Sequence, residues 1–363
     1  MARGRGAVSE HHTHDDGPAE RPASAGDRSP RASMTDVAAL AGVSLGTVSH
    51  VLNHPERVTD ATRAKVEGAV AALGYRPNRM ARSLAGGRSS AIGLAMTDLS
   101  NSLFVDIARG AGEHAESVGM SVLLADGDNE IGREVRNLEL FDELSVAGSM
   151  ITLSDEEHMA ALVGARSGSR PLVLLNFSAP AAWFCSVAVD NELGGHLATE
   201  HLVATGRTRL VFVGGPQVLR PVHDRRDGFR RALLEAGITA VDELQPDAIN
   251  LADGIEVGRR LVADVQAGRV DGIVAASDLL AAGIVQAFLV EGVSVPSDVA
   301  VVGYDNNQAV WDLPVPLTTV AQPGHELGRS GARLVIDEAR TPGHQHQAVL
   351  LRPHLVVRAS APA

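Results

Sequence analysis

At 363 residues, with 45% hydrophobic and 21% charged side chains, the chain suits two or three domains and can bury a sizeable core. Its single cysteine, Cys185, excludes a disulfide framework and argues against a cysteine-based zinc site. The formal net charge is −12, yet residues 34–90 carry seven basic and four acidic side chains, which predicts an anionic partner for that segment. No apolar run reaches the roughly 18 residues of a membrane span, and residues 1–33 lack a secretory signal, so we expect a cytoplasmic protein.

Residues 1–32 are rich in small, polar and charged side chains and show no hydrophobic periodicity, so we expect a disordered tail. The tail contains His11, His12 and His14, a residue type that binds metals. We favour a solvated histidine-rich tail, because no partner ligands lie nearby, and metal binding is the alternative.

Residues 33–76 predict three short helices, with Gly42 allowing a sharp turn between the first two. Asn53-His54-Pro55 ends the second helix, and Gly74 ends the third. A capping Ser or Thr precedes each helix, and apolar residues follow at helical spacing. The caps and their inward-facing residues are Ser33 with Val37, Leu40 and Ala41; Ser44 with Val48, Val51 and Leu52; and Thr59 with Val66, Ala69, Val70 and Leu73.

The outward face of the second helix carries short side chains that can approach another surface closely. It comprises Leu45, Gly46, Thr47, Ser49, His50 and Asn53. Such a helix fits the major groove of DNA, where Ser, Asn and His reach base edges. The alternative from periodicity alone is an ordinary helical hairpin with a solvated face.

Residues 77–88 form a linker in which Pro77 can start a helix and Gly86-Gly87 can end one. Only about two turns fit between them, and isolated helices shorter than about 12 residues are marginal in water. We therefore expect this helix to be unstable alone.

From residue 91 onward, strand-like apolar runs alternate with amphipathic helical stretches, which predicts parallel sheets covered by helices on both faces. The roughly 270 residues that remain suit two doubly wound sheets better than one. The predicted helices include Phe104–Val118, Gly194–Thr205, Asp227–Ala236 and Leu279–Glu291. The predicted strands are Ala91–Met96, Met120–Ala125, Gly148–Leu153, Pro171–Leu175, Ser186–Val189, Arg209–Val213, Gly272–Ala275 and Val299–Val302.

These segments carry a family resemblance. The stretches TDVAALAGVSLGTVSHVLN at 35–53, VTDATRAKV at 58–66 and LGYRPNRMARSL at 73–84 are similar to the DNA-binding headpiece of the lac-repressor family. The likeness continues through Asp98-Leu99-Ser100-Asn101, Val189-Asp190-Asn191, Gly303-Tyr304-Asp305 and Leu317-Thr318-Thr319-Val320. It implies an all-α helix-turn-helix headpiece at 33–76, a hinge helix at 77–88, and at 89–363 a two-lobed effector-binding and dimerisation domain like a type I periplasmic binding protein.

The resemblance also implies roles for residues of the headpiece and hinge. Leu45, Gly46, Ser49 and His50 take the base-reading positions, although the position of His50 is usually Arg, so the operator sequence cannot be transferred. Thr47, Asn53 and Thr62 would hold phosphates. In the hinge, the residues on the minor-groove side are Asn78, Arg79, Ala81 and Leu84. Leu84 is either an apolar wedge between base pairs, which we favour, or a buried linker leucine.

In the body, the family likeness implies that the chain crosses between the lobes near 176–178, 320–323 and 349–352. The effector-binding candidates at strand ends are Asp98, Phe104, Asn176, Phe177, Arg225, Ser277, Asp305 and Gln322. Arg225 and Asp305, placed in loops or at strand ends, would suit a sugar or related polyol; a structural salt bridge is the alternative, and Arg226 is a possible one-residue shift. Asp190-Asn191 is expected to tie a strand end to the next helix, and direct contact with the ligand is the alternative.

No constellation of residues demands catalysis. Gly110-Ala111-Gly112 falls inside a helical stretch, His196 and His201 lack a metalloprotease spacing, and Cys185 has no identified base. A solute-capture protein would leave residues 33–90 unexplained. We therefore predict a non-enzymatic transcriptional regulator, most simply a repressor. It is expected to need no cofactor or metal, to bind double-stranded palindromic operator DNA as a homodimer, and to respond to a small sugar-like effector.

Overall fold

The computed structural model describes residues 32–75, 89–97, 101–128, 130–153, 155–165, 170–216 and 218–363. The chain divides into two compact units, Met1–Asn78 and Arg79–Ala363. Residues 1–31 of the predicted tail and all of the predicted hinge at 77–88 lie outside the described residues, so both remain predictions.

The first unit contains the three predicted helices, α1 (Met34–Ala41), α2 (Leu45–Asn53) and α3 (Asp60–Leu73), with a short 3-10 helix between the last two. Ser33 and Asp36 form a reciprocal capping box on α1, and Ser44 caps α2. Gly42 and Gly74 adopt the left-handed conformation that ends α1 and α3. Sequence alone therefore located these helices correctly.

The core of this small unit includes Ala38, which was not predicted, and lacks two leucines that were. It is built from Val37, Ala38, Val48, Val51, Val66 and Ala69. Leu40 and Leu73, predicted to face inward, are exposed. Three short helices cover too little surface to enclose every apolar residue that recurs at helical spacing.

The helices α1 and α2 meet at 103°, the sharp angle of a helix-turn-helix. No single helix among the described residues is long and apolar enough to cross a membrane, although α1 and α2 together reach the length and composition.

The second unit contains two lobes, each built on a sheet of six described strands. The first sheet has the order β11-β5-β4-β3-β1-β2, and all its pairings are parallel. Its strands are β1 (Ala91–Met96), β2 (Ser121–Asp126), β3 (Ser149–Thr152), β4 (Leu172–Leu175), β5 (Cys185–Val189) and β11 (Ala348–Leu351). Its helices are α4 (Ser102–Ser117), α5 (Ile131–Glu143), α6 (Glu156–Ala165) and α11 (Gly324–Arg340).

The second sheet has the order β12-β10-β9-β8-β6-β7 and is parallel except for its last strand, β12. Its strands are β6 (Leu210–Val213), β7 (Asp242–Leu244), β8 (Gly272–Ala275), β9 (Ala300–Asp305), β10 (Thr318–Ala321) and β12 (His354–Val356). Its helices are α7 (Asn191–Ala204), α8 (Arg220–Ala236), α9 (Leu251–Gln266) and α10 (Asp278–Val290). The predicted pair of doubly wound sheets is thus observed.

The chain crosses between the lobes three times, but the first crossing is not where the sequence placed it. Strands β4 and β5 pair in the same sheet, so residues 176–178 begin a loop within the first lobe. The first crossing comes after Val189, the second between Ala321 and Gly324, and the third between Leu351 and His354. Cys185, Val187 and Val189 bury their side chains in the first lobe's core, which keeps β5 in that lobe.

The helix containing Arg225 also begins earlier than predicted, at Arg220 rather than Asp227. Pro221 occupies its first turn, where a missing N–H costs no hydrogen bond. Arg225 therefore lies on a helix and not in the loop that the sequence suggested.

Glycines let three pairs of helices in the body approach closely. A Cβ at Gly110 of α4 would collide with the backbone of His325 in α11, and one at Gly195 of α7 would collide with Arg225 in α8. Gly254 of α9 lies in the same way against Leu280 of α10. Gly110 thus serves helix packing, and the Gly110-Ala111-Gly112 sequence lies inside a helix, as expected.

Candidate functional site

The first surface of interest is the outward face of α2. Leu45 is 50% exposed, and Gly46 and His50 are also exposed, while Val48 and Val51 turn into the core. Thr47 and Ser49 are half-buried at the edges of this face. The structure therefore places six of the seven headpiece residues predicted to contact bases or phosphates on α2, which follows a sharp turn.

His50 has a defined orientation on this face. Its Nδ1 lies 2.9 Å from the carbonyl oxygen of Gly46, one helical turn earlier. Since a carbonyl only accepts, Nδ1 carries the proton and donates it. In the neutral ring, Nε2 is then a hydrogen-bond acceptor on the exposed face.

The remaining predicted DNA contacts are only partly described. Thr62 is half-buried on α3, and its hydroxyl lies 3.0 Å from that of Thr59. Asn53 is the last residue of α2, and its side chain lies outside the described part. Asn78, Arg79, Ala81 and Leu84 are also outside the described residues.

The second site is a cleft of about 510 Å³ between the two lobes of the body, in the size range of small-molecule sites. Parallel strands of both sheets direct their carboxyl ends into it, the usual ligand-binding edge of doubly wound sheets. Its polar lining residues are Thr97, Asn101, Asp128, Asn176, Arg225, Asp247, Ser277, Asp305 and Gln322. Its apolar walls include Leu103, Phe104, Leu153, Leu219, Val222, Ile249 and Leu279.

Arg225 is held by several groups at the floor of this cleft. Its Nε donates to Asn191 Oδ1 over 2.9 Å, and its Nη1 donates to the Ala276 carbonyl over 2.6 Å. The guanidinium lies 3.7 Å from the centroid of the Tyr304 ring, and Nη2 lies 3.7 Å from Asp305 Oδ1. Arg225 is therefore buried and rigidly oriented beside Asp305.

Asp305 joins the lobes. Its Oδ2 accepts from Asn101 Nδ2 of the first lobe over 3.0 Å, and its Oδ1 accepts from Gln322 Nε2 over 2.6 Å. Burial raises the pKa of the Asp305 carboxyl despite the neighbouring Arg225. Its backbone has φ of 100°, a conformation that side chains other than glycine rarely adopt and that concentrates at functional sites.

Two buried oxygens in the cleft have no hydrogen-bond partner among the described residues. They are Asn176 Oδ1 and Gln322 Oε1. Asn176 also has a positive φ, of 58°, as does Asp128 with 52°, and both follow strands at the cleft edge. Unpaired buried acceptors are costly, so the cleft favours a ligand that brings hydrogen-bond donors.

The other predicted cleft residues have mixed outcomes. Phe104 and Ser277 line the cleft, although the Ser277 hydroxyl also caps α10. Phe177 lies instead in the core of the first lobe, because the left-handed turn at Asn176 directs the next side chain inward. Asp98 lies outside the described residues.

Sequence reasoning missed Asn101, Asp128 and Asp247 as cleft residues. Asn101 belongs to the Asp98-Leu99-Ser100-Asn101 motif, but only its contact with Asp305, 204 positions away, shows that it lines the cleft. Asp128 follows the predicted strand Met120–Ala125, and that position was the available signal. Asp247 follows β7, a strand that the sequence did not predict. As predicted, Asp190 ties β5 to α7 by accepting from the Leu193 N–H.

The expectation that Cys185 has no neighbouring base is wrong. Its Sγ lies 3.2 Å from Nε2 of His344 and 3.8 Å from Nδ1 of His346. Both histidines lie 159 or more positions along the chain, in the loop between α11 and β11, and sequence spacing gives no sign of the contact.

Comparison with known proteins agrees with this arrangement. Residues 33–78 match the bacterial regulatory proteins of the lacI family, and residues 199–361 match the periplasmic binding protein-like domain. The chain is 33% identical over 333 residues to the ribose operon repressor of Escherichia coli (strain K12), which covers 91% of this chain and 100% of that protein.

Two solved structures resemble the chain over nearly its whole length. The lac repressor dimer bound to operator and the anti-inducer ONPF aligns with a TM-score of 0.80 and 28% identity, covering 92% of this chain and 99% of that one. The complex of the transcriptional regulator CelR with cellobiose aligns with a TM-score of 0.66 and 31% identity, covering 91% and 100%.

The likenesses extend through the headpiece and both lobes and confirm the fold predicted from the sequence. The family consists of transcriptional regulators, which agrees with a helix-turn-helix face and a ligand-sized cleft. This chain belongs to the lacI family of bacterial regulatory proteins, and it is a transcriptional regulator rather than an enzyme.

Proposed function

We propose that this protein represses transcription by binding a palindromic operator as a homodimer, and that a neutral polyhydroxylated effector in the cleft controls its DNA affinity. The main support for a polyhydroxylated effector is a pair of buried acceptors, Asn176 Oδ1 and Gln322 Oε1, that have no partner among the described residues. Hydroxyl groups supply the donors that these oxygens need. The relatives named for ribose and cellobiose support a sugar.

The charges that line the cleft favour a neutral ligand over an anion. Asp128, Asp247 and Asp305 face it, whereas Arg225 is the one cation among the described lining residues. Three of the polar groups of Arg225 already contact Asn191, Ala276 and Asp305, so little of its charge is left for a phosphate or carboxylate. In this proposal Arg225 orients Asp305, and the two bind adjacent hydroxyls of the effector.

The effector acts by shifting a population of lobe arrangements. The hydrogen bond from Asn101 to Asp305 and that from Gln308 N–H to Ser102 Oγ, over 2.9 Å, join the lobes next to the cleft. A ligand that competes for Asp305 changes the relative stability of the joined and separated arrangements. The hinge at 77–88, with Asn78, Arg79, Ala81 and Leu84, would be the short helix that this shift orders or releases on DNA.

The headpiece proposal rests on the exposed face of α2. Leu45, Gly46, Ser49 and His50 would read base edges in the major groove, and Thr47, Asn53 and Thr62 would hold phosphates. A two-fold dimer places two such helices on a palindromic site. Action on DNA in the bacterial cell implies a cytoplasmic location.

The DNA-binding part of the proposal is tested by incubating the purified protein with genomic DNA fragments at near-physiological salt and sequencing the fragments that it retains. We expect a small set of fragments that share one palindrome, with an affinity that falls steeply as salt rises. Retention without sequence enrichment, in buffer and in cell extract alike, would contradict the proposal.

The effector part of the proposal is tested with a panel of monosaccharides, disaccharides, sugar phosphates and sugar acids. Each compound is scored by thermal shift and by release of the protein from the selected operator. Neutral sugars are expected to act and the anions to fail. Asp305→Asn should lower effector affinity by about 10-fold or more while operator binding persists, because a charge-assisted hydrogen bond is worth roughly 1.5–3 kcal/mol. An unchanged effector response in this variant would place the site elsewhere. Asp242→Asn, at an exposed strand start of the same lobe, is the control.

A further inference from the structure

Four side chains that ligate metals meet at one end of the first lobe, outside both proposed sites. Cys185 is the first residue of β5, Glu338 lies in the last turn of α11, and His344 and His346 lie in the loop that leads to β11. One ligand atom of each lies within 4.8 Å of the others. Three separate chain segments therefore converge on one point.

The distances between these atoms resemble those of a tetrahedral metal site. Cys185 Sγ lies 3.2 Å from His344 Nε2 and 3.8 Å from His346 Nδ1, and His346 Nδ1 lies 3.7 Å from Glu338 Oε2. Ligands at zinc bond lengths in tetrahedral geometry are separated by roughly 3.3–3.6 Å. The observed separations lie on both sides of that range, so small side-chain movements would satisfy it.

The burial of Cys185 and of one carboxylate oxygen of Glu338 points to a missing partner. Cys185 is fully buried, and Glu338 Oε2 is buried without a hydrogen-bond partner among the described residues. A buried carboxylate oxygen is costly unless a proton donor or a cation faces it. The two histidines are only half-buried, so an ion can reach the cluster from solvent.

We propose that Cys185, Glu338, His344 and His346 bind one Zn²⁺ ion. A thiolate, two imidazoles and a carboxylate form a donor set that suits zinc and neighbouring transition metals, whereas Mg²⁺ and Ca²⁺ prefer oxygen ligands. The thiol of Cys185 releases its proton to solvent on binding, and the thiolate and carboxylate together neutralise the ion. The Gln347 N–H, 3.4 Å from Sγ, would support the thiolate.

The bound ion would fasten the C-terminal end of α11 and the entry to β11 onto β5. Strand β11 pairs with β5 and leads directly into the third crossing between the lobes. Metal binding to the folded chain alone raises its stability by mass action. The site thus adds a metal-dependent contribution to the stability of the first lobe, independent of the effector cleft.

Titration of the chelator-treated full-length protein with Co²⁺, in place of Zn²⁺, tests this site. His11, His12 and His14 in the N-terminal segment are all replaced by Gln in the background protein, because they could bind the ion themselves. We expect one equivalent of Co²⁺ to produce thiolate-to-cobalt charge transfer together with the strong visible bands of tetrahedral cobalt. Zn²⁺ should displace the cobalt and raise the thermal midpoint.

Matched variants assign the ligands. Cys185→Ser should abolish the charge-transfer band. His344→Gln, His346→Gln and Glu338→Gln should each lower the metal affinity by about 10-fold or more, since loss of a residue that only hydrogen-bonds to a ligand already costs that much. His354→Gln, at an exposed histidine on β12 of the second lobe, should change nothing. Absence of the band in a folded background protein, or binding that survives Cys185→Ser unchanged, would overturn the proposal. The four groups would then be a hydrogen-bonded cluster.

Discussion

At the scale of single residues, orientation decides chemistry. His50 could present either ring nitrogen to DNA, and its bond to the Gly46 carbonyl selects Nε2 as the outward atom and makes it an acceptor in the neutral ring. Guanine presents only acceptors in the major groove, whereas cytosine and adenine present amino donors. His50 is therefore expected to favour C or A at its base position.

Replacing His50 with Arg should move that preference to G. Arginine donates two hydrogen bonds to guanine O6 and N7, a pairing worth about 1–3 kcal/mol against other bases. Selection of operator sequences with the wild-type and H50R proteins measures this change at one symmetric pair of positions. An identical selected motif for both proteins would show that residue 50 reads no base.

Asp278 supplies a pH-dependent contribution to stability. Burial raises its pKa to about 7, with Asp305 adding to the rise, while Thr319, the Asn307 N–H and Arg358 oppose it. In the unfolded chain the carboxyl titrates near 3.8. Between these values the folded protein retains a proton that the unfolded chain loses, so the free energy of unfolding falls as pH rises from about 4 to about 7.

Asp278→Asn should remove this fall, because an amide does not titrate. The free energy of unfolding of Asp278→Asn minus that of wild type is expected to be larger at pH 8 than at pH 5. Urea denaturation of both proteins at the two pH values measures this difference. The exposed Asp312→Asn is the control. A difference between wild type and Asp278→Asn that is the same at both pH values would refute the assignment.

At the scale of helices and strands, packing corrects what periodicity suggests. Arg225 lies on a helix because α8 begins at Arg220, with Pro221 in its first turn, and not at Asp227 as predicted. Strand β5 stays with β4 because its buried face belongs to the first lobe's core, which moves the first crossing from 176–178 to the residues after Val189. Glycines at helix contacts show how closely two helices approach, and substitution of these glycines tests the packing.

Gly110→Ala should destabilise the body by roughly 1–3 kcal/mol, because the new methyl group collides with the backbone of His325 in α11. Gly112→Ala, two residues along the same helix, meets nothing within 4 Å. It should be neutral or stabilise by up to about 1 kcal/mol through helix propensity. Urea unfolding of both variants gives the comparison, and equal effects would contradict close packing at Gly110.

At the scale of the whole molecule, an exposed edge bears on self-association. Strand β2 is one of the two edge strands of the first sheet as described, and its Leu124 is 55% exposed. Val105 of α4, Val118 just after α4 and Leu140 of α5 are also exposed. Apolar side chains along an open strand edge are typical of a surface that pairs with another chain.

Leu124→Lys is accordingly expected to weaken the homodimer and, with it, binding to a palindromic operator, since a buried lysine is costly at an apolar contact. Sedimentation over a concentration series should show a dissociation constant raised by about 10-fold or more. Leu234→Lys, at another highly exposed leucine on α8, is the matched control. Dimers of unchanged stability in the Leu124 variant would exclude this edge as the interface.

The local features of this protein can be predicted from short stretches of its sequence. The capping residues Ser33 and Ser44, the turn at Gly42 and the alternation of strands and helices are set by neighbours within a few positions, so they can be predicted without a structure. The motifs that resemble the lac-repressor family located the headpiece and several cleft residues, Arg225 and Asp305 among them.

Contacts between residues far apart in the chain become visible only in the folded protein. Asn101 reaches Asp305 across 204 positions, and Cys185 reaches His344 across 159. Phe177 turns into the core, and the first crossing follows β5, because burial of apolar side chains selects one arrangement of strands among those that the pattern allows. Such contacts depend on the packing of whole lobes, and no local spacing in the sequence encodes them.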